Sequence, residues 1–381
     1  MKRFIFIKGK NPLLSKMEIE MYLQNMNKRY SIIEDLDDFL VVDTSISPDI
    51  INDLGGTLKI VEVIEEWEEA SDDAMDKVQE MVTARNFGLS VYAERNEHEI
   101  YKEMGKLLKQ KLRSNGVKAK YMGIAKSMRP QMSNVDLLRK GVPNECTEIV
   151  VCVSDDIYIG VTRSLHNPME YRKRDMERPM QRPIYSIPPR LANIMLNFAG
   201  AKPGDLVLDP FCGIGTILQE AAIRGMRIAG IDNDRECVDA AKINLHWLSE
   251  EYKIDVEEGL IGVGSATDLL AHFPRNSVDA IATEPYLGPP LRGRVTERDV
   301  RKIFKELDVL YKKTLKSMSA VLKSGGRAAI ISPCIRMQKG KVSHFEFQKL
   351  AKGSSFKIIE SVIDAEKRHK VQREIFIIEK R

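Results

Sequence analysis

Three acidic residues, Asp209, Asp232 and Glu284, each close an apolar run that reads as a strand: Leu206 to Leu208, Met226 to Ile231, and Val278 to Thr283. Asp209 leads into Pro210-Phe211-Cys212-Gly213-Ile214-Gly215-Thr216, a Gly-x-Gly turn before a helix-like stretch from Thr216 to Arg224. A doubly wound α/β domain opens a cofactor site in this way. The strand carboxylate faces the ligand, and the glycines let the backbone come close to it. A dinucleotide turn wants a Gly or Ala three residues after Gly215, where Leu218 stands; a phosphate loop wants Gly-Lys-Ser/Thr, which is absent. A carboxylate at the turn repels a pyrophosphate and attracts an ammonium group. The amino acid end of S-adenosylmethionine carries such a group. Asp232 is placed to accept hydrogen bonds from ribose hydroxyls. The candidate cofactor residues are therefore Asp209, Phe211, Gly213, Gly215, Thr216, Asp232 and Asn233. A purely structural strand, turn and helix is the alternative for the Gly-x-Gly run alone.

The strand ending at Thr283 runs into Glu284-Pro285-Tyr286-Leu287. Reacting groups in such sheets sit beyond the carboxyl ends of the central strands. An acid, a proline and an aromatic suit an exocyclic amine as nucleophile. The amine's lone pair is delocalised into its ring. A carboxylate oxygen and the carbonyl of a residue beside proline both accept its N–H bonds, which localises the lone pair and fixes the attack geometry. An aromatic ring stacks on the base and holds it out of a helix. Glu284, Pro285 and Tyr286 are the candidate catalytic residues, with Leu287 the alternative to Tyr286 as the stacking position.

These groups need a frame. From Arg190 onward strands and helices alternate, with strands expected at 205–209, 227–231, about 258–264, 278–283 and 326–332. That pattern predicts a parallel sheet with helices on both faces. Phe356 to Ile363 and Glu374 to Glu379 close the chain as an antiparallel hairpin. The first part reads as α+β: residues 1–57 as a ferredoxin-like subdomain, and 58–165 as a second unit with a basic helix from Glu97 to Arg113 and a hairpin around Ser154-Asp155. In the first helix, Leu13, Met17, Ile19 and Tyr22 take the apolar positions. Residues 166–188 are rich in Arg and Pro and are expected to form an extended linker. The domain from 189 to 381 holds the cofactor motifs.

A chain of 381 residues with 43% hydrophobic and 30% charged content is that of a soluble multidomain protein. It has no apolar run long enough for a bilayer, and Lys8 interrupts the apolar N-terminal stretch that a signal peptide would need. Five cysteines without a Cys-x-x-Cys pair suit a reducing cytoplasm, and no Cys/His cluster has zinc spacing. Net charge is +4, unevenly spread: Glu62 to Asp76 is acidic, whereas Lys102 to Arg129 and Arg163 to Arg190 are basic. A polyanion is the expected partner of the basic stretches, through Lys106, Lys109, Arg113, Lys118, Lys120, Arg172, Arg174, Arg178 and Arg182. A solvated charged surface is the alternative for any one of them.

Asp209-Pro-Phe-Cys-Gly-Ile-Gly-Thr with a strand-end Glu284-Pro-Tyr resembles the amino-methyltransferases whose usual signature is Asp/Asn-Pro-Pro-Tyr/Phe. Arg178-Pro-Met-Gln-Arg182-Pro-Ile-Tyr185-Ser186-Ile-Pro188 resembles the segment that opens the catalytic domain of THUMP-containing tRNA guanosine-10 N2-methyltransferases. Ile149 to Arg178, Leu310-Tyr311 and Leu322 to Gly326 are similar to that family too. The resemblance covers about residues 60 to 381 and implies a THUMP-type RNA-binding half, a Rossmann-like catalytic half using S-adenosylmethionine, and N2-methylation of a tRNA guanosine. It adds Tyr185 and Ser186 to the cofactor residues. The chain departs from the family in two places. Glu284 replaces the usual Asp, and Ser265 stands where an adenine-contacting Asp is common, leaving Ala266 amides or Asp268 for the adenine. These departures leave open another RNA or DNA amine as substrate, or a catalytically degenerate RNA-binding protein that retains the donor; an accessory subunit is left open on separate grounds.

Overall fold

The computed structural model describes residues 1–67, 82, 86–114, 116, 119–122, 129–182, 186–291, 293, 295–337, 341–364 and 370–381. Two compact units divide between Tyr171 and Arg172.

In the first unit the strands are β1 (Lys2–Lys8), β2 (Tyr30–Asp35), β3 (Phe39–Thr44), β4 (Thr57–Trp67), β5 (Asn86–Ala93), β6 (Lys120–Tyr121), β7 (Cys146–Val153) and β8 (Ile157–Leu165). The helices are α1 (Pro12–Asn25), α2 (Glu97–Ser114) and α3 (Asn134–Arg139). Among the described residues the strands form one sheet in the order β2-β3-β1-β4-β8-β7-β5-β6. The two expected subdomains share this sheet, because β4 pairs with β1 on one side and β8 on the other. A buried ion pair spans its centre. Lys59 on β4 lies 2.5 Å from Glu148 Oε1 on β7, and Ser90 of β5 and Thr162 of β8 both donate to the same carboxylate. Full hydrogen bonding offsets the cost of burying that charge. In α1 the apolar face falls one residue later than expected at its start: Leu13 is exposed and Leu14 buried. The Asn11 cap sets this phase, its side chain accepting from Leu14 N–H.

The expected extended linker begins instead as helix. Asn167 Oδ1 accepts from Met169 and Glu170 N–H, so Pro168 opens α4 (Pro168–Arg172) and a π-helical turn, Lys173–Glu177, follows. Proline is tolerated in a first helical turn, where no N–H is needed.

In the second unit the helices are α5 (Pro189–Phe198), α6 (Thr216–Ile223), α7 (Arg235–Tyr252), α8 (Glu297–Val321) and α9 (Phe347–Lys352). The strands are β9 (Leu206–Asp209), β10 (Arg227–Asp232), β11 (Glu258–Val263), β12 (Val278–Thr283), β13 (Leu322–Arg336), β14 (Val342–His344), β15 (Phe356–Asp364) and β16 (Val371–Lys380). The sheet order is β11-β10-β9-β12-β13-β16-β15. From β11 to β13 the pairs are parallel, and β16 and β15 add the antiparallel edge. Strand order reverses at β9 and β12, and a crevice opens at that switch point in such sheets. The expected α/β Rossmann-like sheet with a terminal hairpin is the fold found. Its core joins Leu208, Ile281, Ile330 and Phe376 to Leu307, Tyr311 and Met318 of α8.

Candidate active site

The Gly-x-Gly turn is held by two side chains, Asp232 and Asn244. Gly213, at φ 50°, donates its N–H to Asp232 Oδ2 at 2.9 Å, and Asp234 N–H caps the other oxygen at 3.0 Å. Asn244 of α7 donates to the Ile214 carbonyl and the Met180 carbonyl, and accepts from Met180 N–H at 2.9 Å. The two glycines have different jobs. A side chain added to Gly213 would meet nothing within 4 Å, so this residue faces open space. At Gly215, φ 86°, a Cβ would stand 3.2 Å from the Cβ of Ala241, so this glycine lets α7 pack against the turn.

Asp209 is buried at the end of β9, and its Oδ1 accepts both from Thr283 Oγ1 at 2.7 Å and from Phe211 N–H at 3.0 Å. Burial pushes its carboxyl up to about 7, and the charges of Asp232 and Glu284 push the same way against those two hydrogen bonds. Ser186, Asp209, Phe211, Gly213, Thr216 and Glu284 line one cleft at the switch point. Its free volume is about 30 Å³.

Glu284 follows β12 directly. Its two oxygens accept from Arg373 of β16, Nε to Oε1 at 2.6 Å and Nη2 to Oε2 at 3.3 Å. Pro285 is buried behind it, whereas Tyr286 is 50% exposed and Leu287 only partly so. Of the two stacking candidates, Tyr286 is the more exposed.

Asn233 is exposed beyond β10. Beyond β11, Ser265 bonds Thr267 in a local turn at 2.8 Å, Ala266 is buried and Asp268 exposed. These four residues, like Gly215, Asp232, Pro285 and Tyr286, do not line the cleft itself. Tyr185 and Lys118 lie outside the described residues.

Two of the arginines expected to meet a polyanion do something else. Arg174 is buried and forms a two-pronged pair with Glu220 of α6, at 2.6 and 3.1 Å. Arg178, 3% exposed, donates to Thr216 Oγ1 and Ser186 Oγ, both at 2.7 Å. Arg174 therefore anchors the segment preceding α5 to α6, Arg178 ties it to the first residue of that helix, and neither is open to phosphate. Arg182 pairs with Asp234 and Glu236 across a partly exposed surface, and Arg172 is exposed. Lys106, Lys109 and Arg113 lie exposed on one face of α2, with Met104, Leu108 and Leu112 buried beneath; Lys120 is also exposed. Lys109 Nζ sits 3.9 Å over the ring of Tyr121.

Two features were missed in the sequence. Arg373 gave no signal, because its partner is 89 residues away. The other was legible: Arg298, Arg301, Lys302, Lys305, Lys312, Lys313 and Lys316 recur at helical spacing along the exposed face of α8. Glu297 and Asp308 flank this stripe on one edge, Asp299 and Glu306 on the other.

A family described as "RMKL-like, methyltransferase domain" (UPF0020) matches residues 176–352. A protein of Pyrococcus abyssi named tRNA (guanine(10)-N2)-dimethyltransferase is 33% identical over 223 residues, 58% of this chain and 59% of that protein. One of Methanothermococcus thermolithotrophicus, named "Probable tRNA (guanine(10)-N2)-dimethyltransferase", is 30% identical over 125 residues, 32% of this chain and 74% of that one. The chain thus spans less than two thirds of the length of the Pyrococcus relative. The crystal structure of TrmN from Thermus thermophilus matches over 100% of both chains with a TM-score of 0.56 and 18% identity, a likeness of fold.

Proposed function

The chain belongs to the tRNA (guanine-N2) methyltransferase family, and from that premise we propose that it methylates the exocyclic N2 of a guanosine in tRNA, with S-adenosylmethionine as donor. One observation carries the reading: Glu284, with Pro285 and Tyr286 behind it, shares a switch-point cleft with Asp209 and the glycine turn.

The residues present suit the donor by their chemistry. Gly213 leaves open space beside the turn, and Asp209 and Glu284 bring carboxylates to the cleft. S-adenosylmethionine supplies a sulfonium-activated methyl group when bound there. Asp209 is the partner for its ammonium, Asp232 for its ribose hydroxyls, and Ser186, Phe211, Gly213 and Thr216 line the approach. Asn233, Ser265, Ala266 and Asp268 follow the neighbouring strands and are assigned to its nucleoside end.

Glu284 and the carbonyl preceding Pro285 accept the N–H bonds of the guanine amine and orient its lone pair. Tyr286 stacks on the extruded base. N-methylation releases one amine proton, and the carboxylate bonded to that amine is the group placed to accept it. The exposed Lys106, Lys109, Arg113 and Lys120 of the first unit contact phosphates, as do Arg172 and the α8 stripe of the second. Such contacts set affinity more than sequence choice.

The test is transfer of tritiated methyl groups to tRNA lacking modifications, followed by mass spectrometry of the nucleosides. N2-methylguanosine is the expected product, and its count of methyls separates mono- from dimethylation. The Glu284–Arg373 pair favours a second reading, an RNA-binding protein in which the acid is locked and transfer lost. Donor uptake and tRNA binding without incorporation would select that reading.

A further inference from the structure

We propose that Arg373 is a specificity-determining residue that reads O6 of the acceptor guanine while Glu284 takes its N1–H and N2–H; this rests on the guanine-N2 reading above.

Arg373 reaches Glu284 because the sheet brings two distant segments to one rim. Thr283 pairs with Ile330 of β13, and Arg373 lies opposite Pro333 of the same strand. The guanidinium and the carboxylate therefore meet at the carboxyl end of the central strands. Both are partly shielded, with side chains 22% and 14% exposed. The side-on geometry joins Nε to Oε1 and Nη2 to Oε2, so each carboxylate oxygen keeps further acceptor capacity.

A carboxylate beside a guanidinium presents acceptors next to donors. The Watson–Crick edge of guanine is the complement: donors at N2 and N1, then an acceptor at O6. Release of the longer contact, Nη2 to Oε2 at 3.3 Å, lets Glu284 span the two donors while Oε1 keeps Nε of Arg373, and the freed Nη2 meets the carbonyl. Glu284 is also one methylene longer than the Asp usual in the motif it resembles. The extra reach lets it keep the arginine while addressing the base. An arginine that only oriented Glu284 would assist every substrate amine equally. One that reads O6 discriminates among purines that share the N2 amine.

The experiment uses the full-length protein and tRNA carrying either guanosine or 6-thioguanosine at the methylated position. The sulfur analogue keeps N1–H and N2–H and weakens the acceptor at position 6; its larger sulfur and more acidic N1–H act alike on wild type and variants, so the change in the ratio reads the arginine. Wild type is expected to favour guanosine by about tenfold in kcat/KM, the scale of a hydrogen bond to a charged group. In Arg373→Ala that ratio falls toward one, with Arg373→Lys intermediate, while donor binding measured by calorimetry stays intact and reports folding. A ratio unchanged in both variants, or no discrimination by wild type, overturns the assignment of Arg373 and leaves guanine-N2 transfer standing. No transfer to guanine by wild type overturns the parent reading and this inference with it.

Discussion

Thr283 Oγ1 donates to Asp209 Oδ1 across 2.7 Å, tying the ends of β12 and β9 at the point where the strand order reverses. Phe211 N–H is accepted by the same oxygen. The wall of the cleft and the start of the glycine turn thus share one buried carboxylate. Both bonds fall on Oδ1, and burial makes the charge of this carboxylate costly.

That cost has a pH signature. Asp209 is pushed up from 3.8 to about 7, chiefly by burial. Between those values the folded protein holds a proton that the unfolded chain has lost, so stability falls as pH rises through the window and levels off above it. Asp209→Asn keeps an oxygen able to accept both hydrogen bonds and cannot ionise. Its melting temperature should gain on wild type between pH 5 and pH 8. Donor affinity should behave oppositely, because a cation binds the ionised form: wild-type affinity climbs with pH to about 7 and then flattens, and Asp209→Asn loses that rise. Parallel profiles for the two proteins, by calorimetry at several pH values, would contradict the role given to Asp209.

Glu284→Gln keeps size and removes charge; Glu284→Ala removes both. Each should cut turnover by about two orders of magnitude or more, the scale seen when a positioned electrostatic group is lost. Donor binding should change little, since Asp209, Asp232 and the glycine turn remain. Single-turnover methylation with radiolabelled donor gives the first quantity and calorimetry the second. Near-normal turnover in Glu284→Ala would move the chemistry elsewhere.

In the second unit β9, β10 and β12 are legible because they are short apolar runs, each ending at or just before an acid. β12 was placed residue for residue. Other features depend on contacts that no local pattern carries. Arg174 and Arg178 read as free basic residues because Glu220 and Thr216, their partners in α6, are distant in sequence. Pro168 reads as a chain stiffener by composition, whereas the Asn167 side chain ahead of it makes it a first helical residue. β4 looked like the start of a second unit, although its backbone continues the sheet of the first.

The burial of Arg174 makes a stability prediction that an RNA contact would not. Arg174→Ala leaves Glu220 buried without its partner, a loss of about 3–5 kcal/mol for a pair of this kind. Restoring complementarity with Arg174→Met and Glu220→Leu together should recover much of it. Chemical denaturation of the single and double variants measures both. If Arg174→Ala left stability unchanged and weakened tRNA binding instead, Arg174 would belong with the phosphate-binding residues after all.

The basic stripe of α8 makes the last prediction. Its seven Lys and Arg residues occupy the face opposite Val300, Ile303, Leu307 and Tyr311, so they can be removed without disturbing the core. Lys312, Lys313 and Lys316 replaced together by Ala should weaken tRNA binding and flatten its salt dependence. For every phosphate that no longer meets a lysine, the slope of log affinity against log salt should shrink by about 0.7–0.9. Alanine favours helix at least as well as lysine, so the fold should hold. Donor affinity should stay at the wild-type value, because these residues lie on the face of α8 turned away from the core. The rate at saturating tRNA should stay close to wild type, with the effect confined to KM. An unchanged salt slope would assign the stripe to solvent and place the polyanion-binding surface of the second unit elsewhere; a fall in kcat with KM unchanged would count equally against a phosphate-binding role.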